Sequence, residues 1–148
     1  MRLRALRDSP AAFAATLAAE AERPDSDWLA LAAESEIGEA EAVFLAGDGE
    51  PDLGMAAARW FDRDQGIVAL WGMWVDPTAR RRRIGERLVA EVHDWAARRG
   101  AARVRLGVIE AIAGAQEFYL RLGYARTGET KPLLRDERIR AVFLSRPV

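Results

Sequence analysis

The stretch Val75-Asp76-Pro77-Thr78-Ala79-Arg80-Arg81-Arg82-Arg83-Ile84-Gly85-Glu86-Arg87-Leu88 decides the fold. Upstream of it, Ile67 to Val75 is rich in β-branched and aromatic residues and reads as a strand, which Pro77 ends because proline cannot donate to the ladder. Downstream, Ile84, Leu88, Val92 and Trp95 fall on one stripe of an amphipathic helix that stops at Gly100. Val104-Arg105-Leu106-Gly107-Val108 is the next strand. Strand, helix and strand make a right-handed parallel crossover. Its first turn carries four consecutive arginines into a helix start, where the leading N–H groups have no intrahelical partners and the helix dipole is positive. Such a turn suits a pyrophosphate. A solvated arginine run at a helix start is the competing reading.

Working back toward the N-terminus, Ile67–Val75 is the third strand of an antiparallel meander. Ala42-Val43-Phe44-Leu45 and Leu53 to Phe61 precede it, with turns at Asp48-Gly49 and Asp62-Arg63-Asp64-Gln65-Gly66. Ser9-Pro10 reads as an N-cap with proline at the first helical position, which predicts a helix to Arg23 with Phe13, Leu17 and Ala21 on one face. Pro24 ends it, and Asp25-Ser26-Asp27 caps a second helix with Trp28, Leu29 and Leu31. Toward the C-terminus, a helix over Ala113 to Leu122 stops at Gly123, and strands near Tyr124 and over Ile139–Leu144 close the chain. No linker, repeat or low-complexity tract interrupts it. The 148 residues therefore read as one domain with a mixed sheet and helices on its faces, an α/β (α+β) architecture.

Two stretches and their spacing resemble the GCN5-related N-acetyltransferase (GNAT) family. The arginine turn is similar to that family's V-x-P-x-x-R-x-x-G-x-G/A signature. Ala115-Gln116-Glu117-Phe118-Tyr119-Leu120-Arg121-Leu122-Gly123-Tyr124 is similar to its A-x-x-F/L-Y-x-R/K-L-G-F/Y signature. Leu6-Arg7-Asp8-Ser9-Pro10-Ala11-Ala12-Phe13 also looks like the L-R-x-S-P-E-A-F stretch near the start of many members. The resemblance implies an enzyme that uses acetyl-CoA as co-substrate to acetylate a primary amine of a small molecule or peptide. It implies that the backbone of Met73, Trp74 and Val75 lines up with the pantetheine arm. Arg80, Arg81, Arg82, Arg83, Ile84, Gly85 and Glu86 would wrap the pyrophosphate, and Ala115 and Phe118 would flank the cofactor on its other side. Tyr119 takes the place of the proton donor to the departing thiolate; a core aromatic is the other reading of it.

Three positions depart from that pattern. Arg83 stands where the signature has its first glycine, and Ile112 stands where an asparagine often contacts the pantetheine. The family's first strand is missing, unless Arg2-Leu3-Arg4-Ala5-Leu6 takes its place; the missing strand is the favoured reading. These losses also fit a non-catalytic acyl-CoA-binding or regulatory module. A missing first strand bares a sheet edge, which predicts a homodimer or a covering loop.

Composition narrows the chemistry. Without cysteine there is no disulfide, thiolate nucleophile or sulfur-ligated metal, and a lone histidine makes a metal site a poor reading. His93 falls on the polar side of its helix and reads as solvated. No apolar run approaches the ~20 residues of a membrane span and no signal peptide is evident, so a cytoplasmic enzyme is expected. Net charge is −1 and no stacking platform accompanies the arginines, which argues against nucleic-acid binding. Residues 1–64 hold 14 acids and 6 bases, whereas residues 80–105 hold 9 arginines and 3 acids. The second segment predicts the anionic ligand, and the first predicts a cationic acceptor or simply a solvated acidic surface. Trp71, Met73 and Trp74 read as core or as the acceptor wall. No acid lies between Ile67 and Val75, so Glu41, Glu110 or a water chain must serve as base.

Overall fold

The computed structural model describes residues 1–27, 30, 33, 38–47, 51–134 and 136–148. The expected helix through Trp28, Leu29 and Leu31 and the turn at Asp48-Gly49 lie outside the described residues. The chain opens on helix α1 (Arg2–Asp8), so the Arg2–Leu6 stretch is not a strand, and no strand precedes α1 among the described residues.

The single helix expected from Ser9 to Arg23 is not there. Pro10–Ala12 forms one 3-10 turn, Phe13 is extended at φ −115°, and a separate helix α2 (Leu17–Ala21) follows. The caps explain the break. The Ser9 hydroxyl donates to the Asp8 carboxylate at 2.6 Å rather than capping the turn, while Thr16 accepts from the Ala19 N–H at 3.3 Å. Burial decides it. The break drops Phe13 among Ala5, Leu6, Met55 and Trp74, and sinking a phenylalanine is worth about 1.5–3 kcal/mol, more than a few residues of alanine propensity return.

Strands β1 (Glu41–Ala46), β2 (Gly54–Asp62) and β3 (Ile67–Val75) form the expected antiparallel meander. Helix α3 (Ile84–Arg98) crosses to β4 (Arg103–Ile109), which pairs parallel to β3. Helix α4 (Ala113–Arg121), β5 (Ala125–Leu133) and β6 (Asp136–Pro147) complete one mixed sheet in the order β1-β2-β3-β4-β6-β5. The outer edge of β1 is paired with no strand among the described residues.

The period-2 alternation of the strands gives the sheet two unlike faces. Ala42, Ala56, Ala58, Val68 and Leu70 turn to one face and meet the α3 stripe of Ile84, Leu88, Val92 and Trp95 in the main core. Met55 turns to the other face with Ala5, Leu6 and Phe13. Small residues on β2 let α3 approach closely. A Cβ on Gly54 would stand 3.0 Å from Ile84 Cγ2 and 3.1 Å from Leu88 Cδ1.

Candidate active site

β3 and β4 share a ladder only at Ile67–Arg103, Val68–Val104 and Ala69–Arg105. Beyond these residues both strands continue without pairing each other, so they part into a cleft. On its far side β3 stays held by β2 as far as Val75–Gly54. The Asp76 N–H donates to Leu53 O at 2.8 Å on the β2 side, so by alternation the Val75 N–H faces the cleft. A bulge interrupts the β2 pairing. One residue, Ala56, stands opposite two, Gly72 and Met73, and Gly72 takes φ +64°. The extra residue re-phases the strand. Trp71 and Trp74 consequently face the α1 side together, while Met73 joins the main core.

At the cleft's end the chain makes the arginine turn. Asp76 caps the 3-10 turn Pro77–Ala79, accepting from the Thr78 N–H at 3.0 Å and its hydroxyl at 2.7 Å. Those bonds, with a smaller contribution from Arg4, hold the Asp76 carboxyl below its usual range. Arg81 (φ 65°) and Arg83 (φ 59°) are left-handed, a conformation that costs roughly 1–2 kcal/mol for a residue with a Cβ. Two such residues around Arg82 build an anion-binding nest. Among the described residues nothing accepts from the N–H groups of residues 81–86. Arg81, Arg82 and Arg83 are exposed and form no ion pair among the described residues. Arg80 behaves differently, donating to the Asp8 carboxylate at 2.7 Å and to Val75 O at 3.1 Å. It braces the turn against α1.

Gly85 brings α3 and α4 together. A Cβ there would lie 3.1 Å from both Met73 Cε and Phe118 Cζ, so close packing alone calls for the glycine. Ile112 sits at the N-cap of α4 and offers no side-chain cap. Ala115 and Phe118 pack against the main core beside the cleft. Tyr119 is buried at 6% exposure, its ring edge-on to Phe118 at 5.0 Å and to Tyr124 at 5.5 Å. Burial, and secondarily Tyr124, pushes the Tyr119 phenol well above its usual pKa, so the hydroxyl keeps its proton.

The family model for the Acetyltransferase (GNAT) family matches residues 5–124. The chain belongs to the GNAT acetyltransferase family. Similar solved structures share its fold. The Salmonella typhimurium yncA structure, a putative acetyltransferase with its cofactor acetyl-CoA, is 17% identical with a TM-score of 0.74, over 98% of this chain and 85% of that one. The ribosomal-protein-alanine N-acetyltransferase of Brucella melitensis is 18% identical with a TM-score of 0.72, over 99% of this chain and 91% of that one. A nourseothricin acetyltransferase is 23% identical with a TM-score of 0.66; the match covers 72% of this chain and 65% of that chain's length. No curated protein sequence matches the chain significantly.

This acetyltransferase has a second opening, on the α1 side of β3. A cavity of about 650 Å³ runs between α1, α2 and the first three strands and reaches β3 at Trp71 and Gly72, where the bulge lies. Trp71 lines it, whereas Trp74 is buried in the smaller core and donates from Nε1 to Asp8 at 2.9 Å. Glu41 lines the cavity; Glu110 sits exposed past β4 and does not. The acidic surplus of residues 1–64 is not concentrated here. Among the described residues two of its acids, Glu20 and Glu41, share the wall with Arg2, Arg23 and Arg59. Sequence reading missed Arg2, Arg59 and Glu20, because only folding brings α1, β2 and α2 to one wall.

His93 corrects another expectation. It is buried at 6% exposure, with Nε2 2.8 Å from the Tyr124 hydroxyl, and burial pulls its pKa down to about 4. Beside an apolar stripe it looked solvated, but Tyr124 closes over that flank of α3. Among the described residues no helix is long and apolar enough to cross a membrane.

Proposed function

We propose that this chain, as a single domain over residues 1–148, binds acetyl-CoA as co-substrate and transfers the acetyl group directly to a primary amine in a ternary complex. The parting of β3 from β4 beside a turn of unpartnered N–H groups carries this reading. The turn offers donors and three arginines to a pyrophosphate, and the open backbone edge from Leu70 to Val75 offers an extended arm a strand-like partner. The amine enters from the α1-side cavity, so acyl donor and acceptor meet across β3 at its bulge.

In this reading the Val75 N–H stabilises the negative charge that develops on the thioester oxygen, an electrostatic contribution that often exceeds any single side chain. Glu41, directly or through water, takes the proton that the attacking amine loses as the N–C bond forms. Tyr119 delivers its proton to the sulfur as the C–S bond breaks. Met73, Trp74, Val75 and residues 80–86 form the donor side with Ala115 and Phe118, Arg80 acting through its brace to Asp8. The β1 edge, unpaired among the described residues, is met by a second copy of the chain.

Calorimetry with acetyl-CoA tests the donor half, and affinity should fall as salt rises because arginines and N–H groups address phosphates. Thiol release across an amine panel tests transfer. Arg83 and the uncapped Ile112 favour one other reading, an acyl-CoA-binding module without turnover. Binding without transfer to any amine would select it.

A further inference from the structure

Among the described residues, Arg2, Arg23 and Arg59 line the α1-side cavity with Glu20 and Glu41. Glu20 Oε1 is shared between Arg2 Nη2 at 3.8 Å and Arg23 Nη2 at 3.9 Å, both distances too long for hydrogen bonds. Arg2 otherwise stacks over Phe13, 4.8 Å from the ring centroid, and its Nη1 is buried without an acceptor among the described residues. Arg59 forms no ion pair among the described residues and lies over the Trp71 ring at 5.7 Å. Trp71 Nε1 is also buried without an acceptor among them. A buried donor without an acceptor is costly, so Arg2 Nη1 and Trp71 Nε1 stand on this wall as open donors among the described residues. Its remaining surface is apolar, with Val43, Leu45 and Met55 beside Trp71. At about 650 Å³ the cavity falls in the ~300–1,000 Å³ range of small-molecule sites.

We propose that the acceptor amine also carries a carboxylate, as an amino acid with an apolar side chain does. The carboxylate is drawn to the guanidiniums of Arg2 and Arg59 and to the Trp71 Nε1–H, and the side chain lies against Met55 and the Trp71 ring. Guanidinium groups favour this ligand because they meet a carboxylate with two parallel donors. Glu41 lines the same cavity, and its charge suits the amine end. The inference deepens the acetyltransferase reading above and depends on it.

The test compares matched acceptors: phenylalanine, phenylalanine amide and phenethylamine; methionine and methionine amide; and spermidine as a cationic amine. Thiol release gives kcat/KM for each, and calorimetry gives acetyl-CoA binding. The acids should exceed their amides and the decarboxylated amine at least tenfold. R59Q and W71F should each bring the acid-to-amide ratio down toward one, chiefly through KM for the acid. W71F keeps most of the ring and deletes the N–H, so it remains informative if Arg2 variants fold poorly. Amides, phenethylamine or spermidine performing as well as the acids would overturn the inference and leave the acetyltransferase reading standing. Acetyl-CoA binding with no turnover on any member would overturn it in favour of a binding module. Absence of acetyl-CoA binding would overturn the underlying reading itself.

Discussion

The turn at residues 80–86 and the buried trio of His93, Tyr119 and Tyr124 lie on opposite ends of the same packing problem. In the turn, the N–H groups of residues 81–86 have no acceptor among the described residues, two arginines hold left-handed backbone, and the arginine side chains are exposed. In the trio, polar atoms are folded inside, with His93 bonded to Tyr124 and the rings of Tyr119 and Tyr124 edge-on. The first region accepts local strain to keep donors open. The second uses burial to fix protonation states. Open donors and protonated buried phenols therefore call for contrary environments, and α3 links the two regions because it starts in one and carries His93 into the other.

The largest expected effect probes the buried side. Tyr119→Phe removes one hydroxyl and keeps the ring, so packing changes little, while kcat should fall roughly ten- to a hundredfold. Acetyl-CoA affinity should be nearly unchanged. Wild-type kcat under conditions where chemistry limits the rate would reduce Tyr119 to a packing residue and erase the chemical half of the contrast.

Gly85→Val tests the joint between the two regions. Its side chain meets Met73 and Phe118 at the approach already 3.1 Å for a bare Cβ, and overpacking of this kind costs about 1–3 kcal/mol. Acetyl-CoA affinity should weaken about tenfold, with a lower Tm. Unchanged values for both would mean that α3 and α4 have room to separate.

His93→Gln sharpens the buried side. A histidine held neutral in the fold, with its pKa lowered to about 4, binds its proton more readily when unfolded. Stability should therefore fall as pH drops from about 6.5 toward 4, by an amount on the order of 3 kcal/mol at most. Glutamine can still accept from the Tyr124 hydroxyl but does not titrate. The variant should lose about 1 kcal/mol at neutral pH and show a flatter denaturant midpoint between pH 6.5 and 4. An equally steep pH profile would place the titration elsewhere.

Arg83→Gly is the smallest change. Glycine relieves the left-handed strain but adds unfolded-state entropy, and the two nearly cancel, leaving stability within about 1 kcal/mol. Acetyl-CoA affinity should hold or improve. Marked weakening would make the Arg83 guanidinium itself a phosphate ligand and not merely a tolerated substitute for glycine.

The parallel crossover, the meander and the α3 stripe were legible in the sequence because periodicity reports which face of an element is buried. The arginine turn and Tyr119 stood out in the sequence through their resemblance to the two family signatures, which marks them as candidates. What sequence reading lost was whatever depended on a partner from elsewhere in the chain. Ser9-Pro10 looked like a helix start until the cluster around Trp74 took Phe13 out of the helix. His93 looked solvated until Tyr124, 31 positions on, closed over it.

By itself, then, the sequence determined the order and type of the elements from β1 onward and the place of the arginine turn, since these rest on local propensity, alternation and the missing N–H of proline. Tertiary structure alone decided that Trp71 turns to a cavity and Trp74 to the core, because one extra residue at the Gly72 bulge re-phases the strand. It also decided that Arg80 braces Asp8 and that Arg2, Glu20 and Arg59 share one wall. Burial and charge balance are sums over neighbours in space, and a linear sequence does not contain those neighbours until the chain has folded.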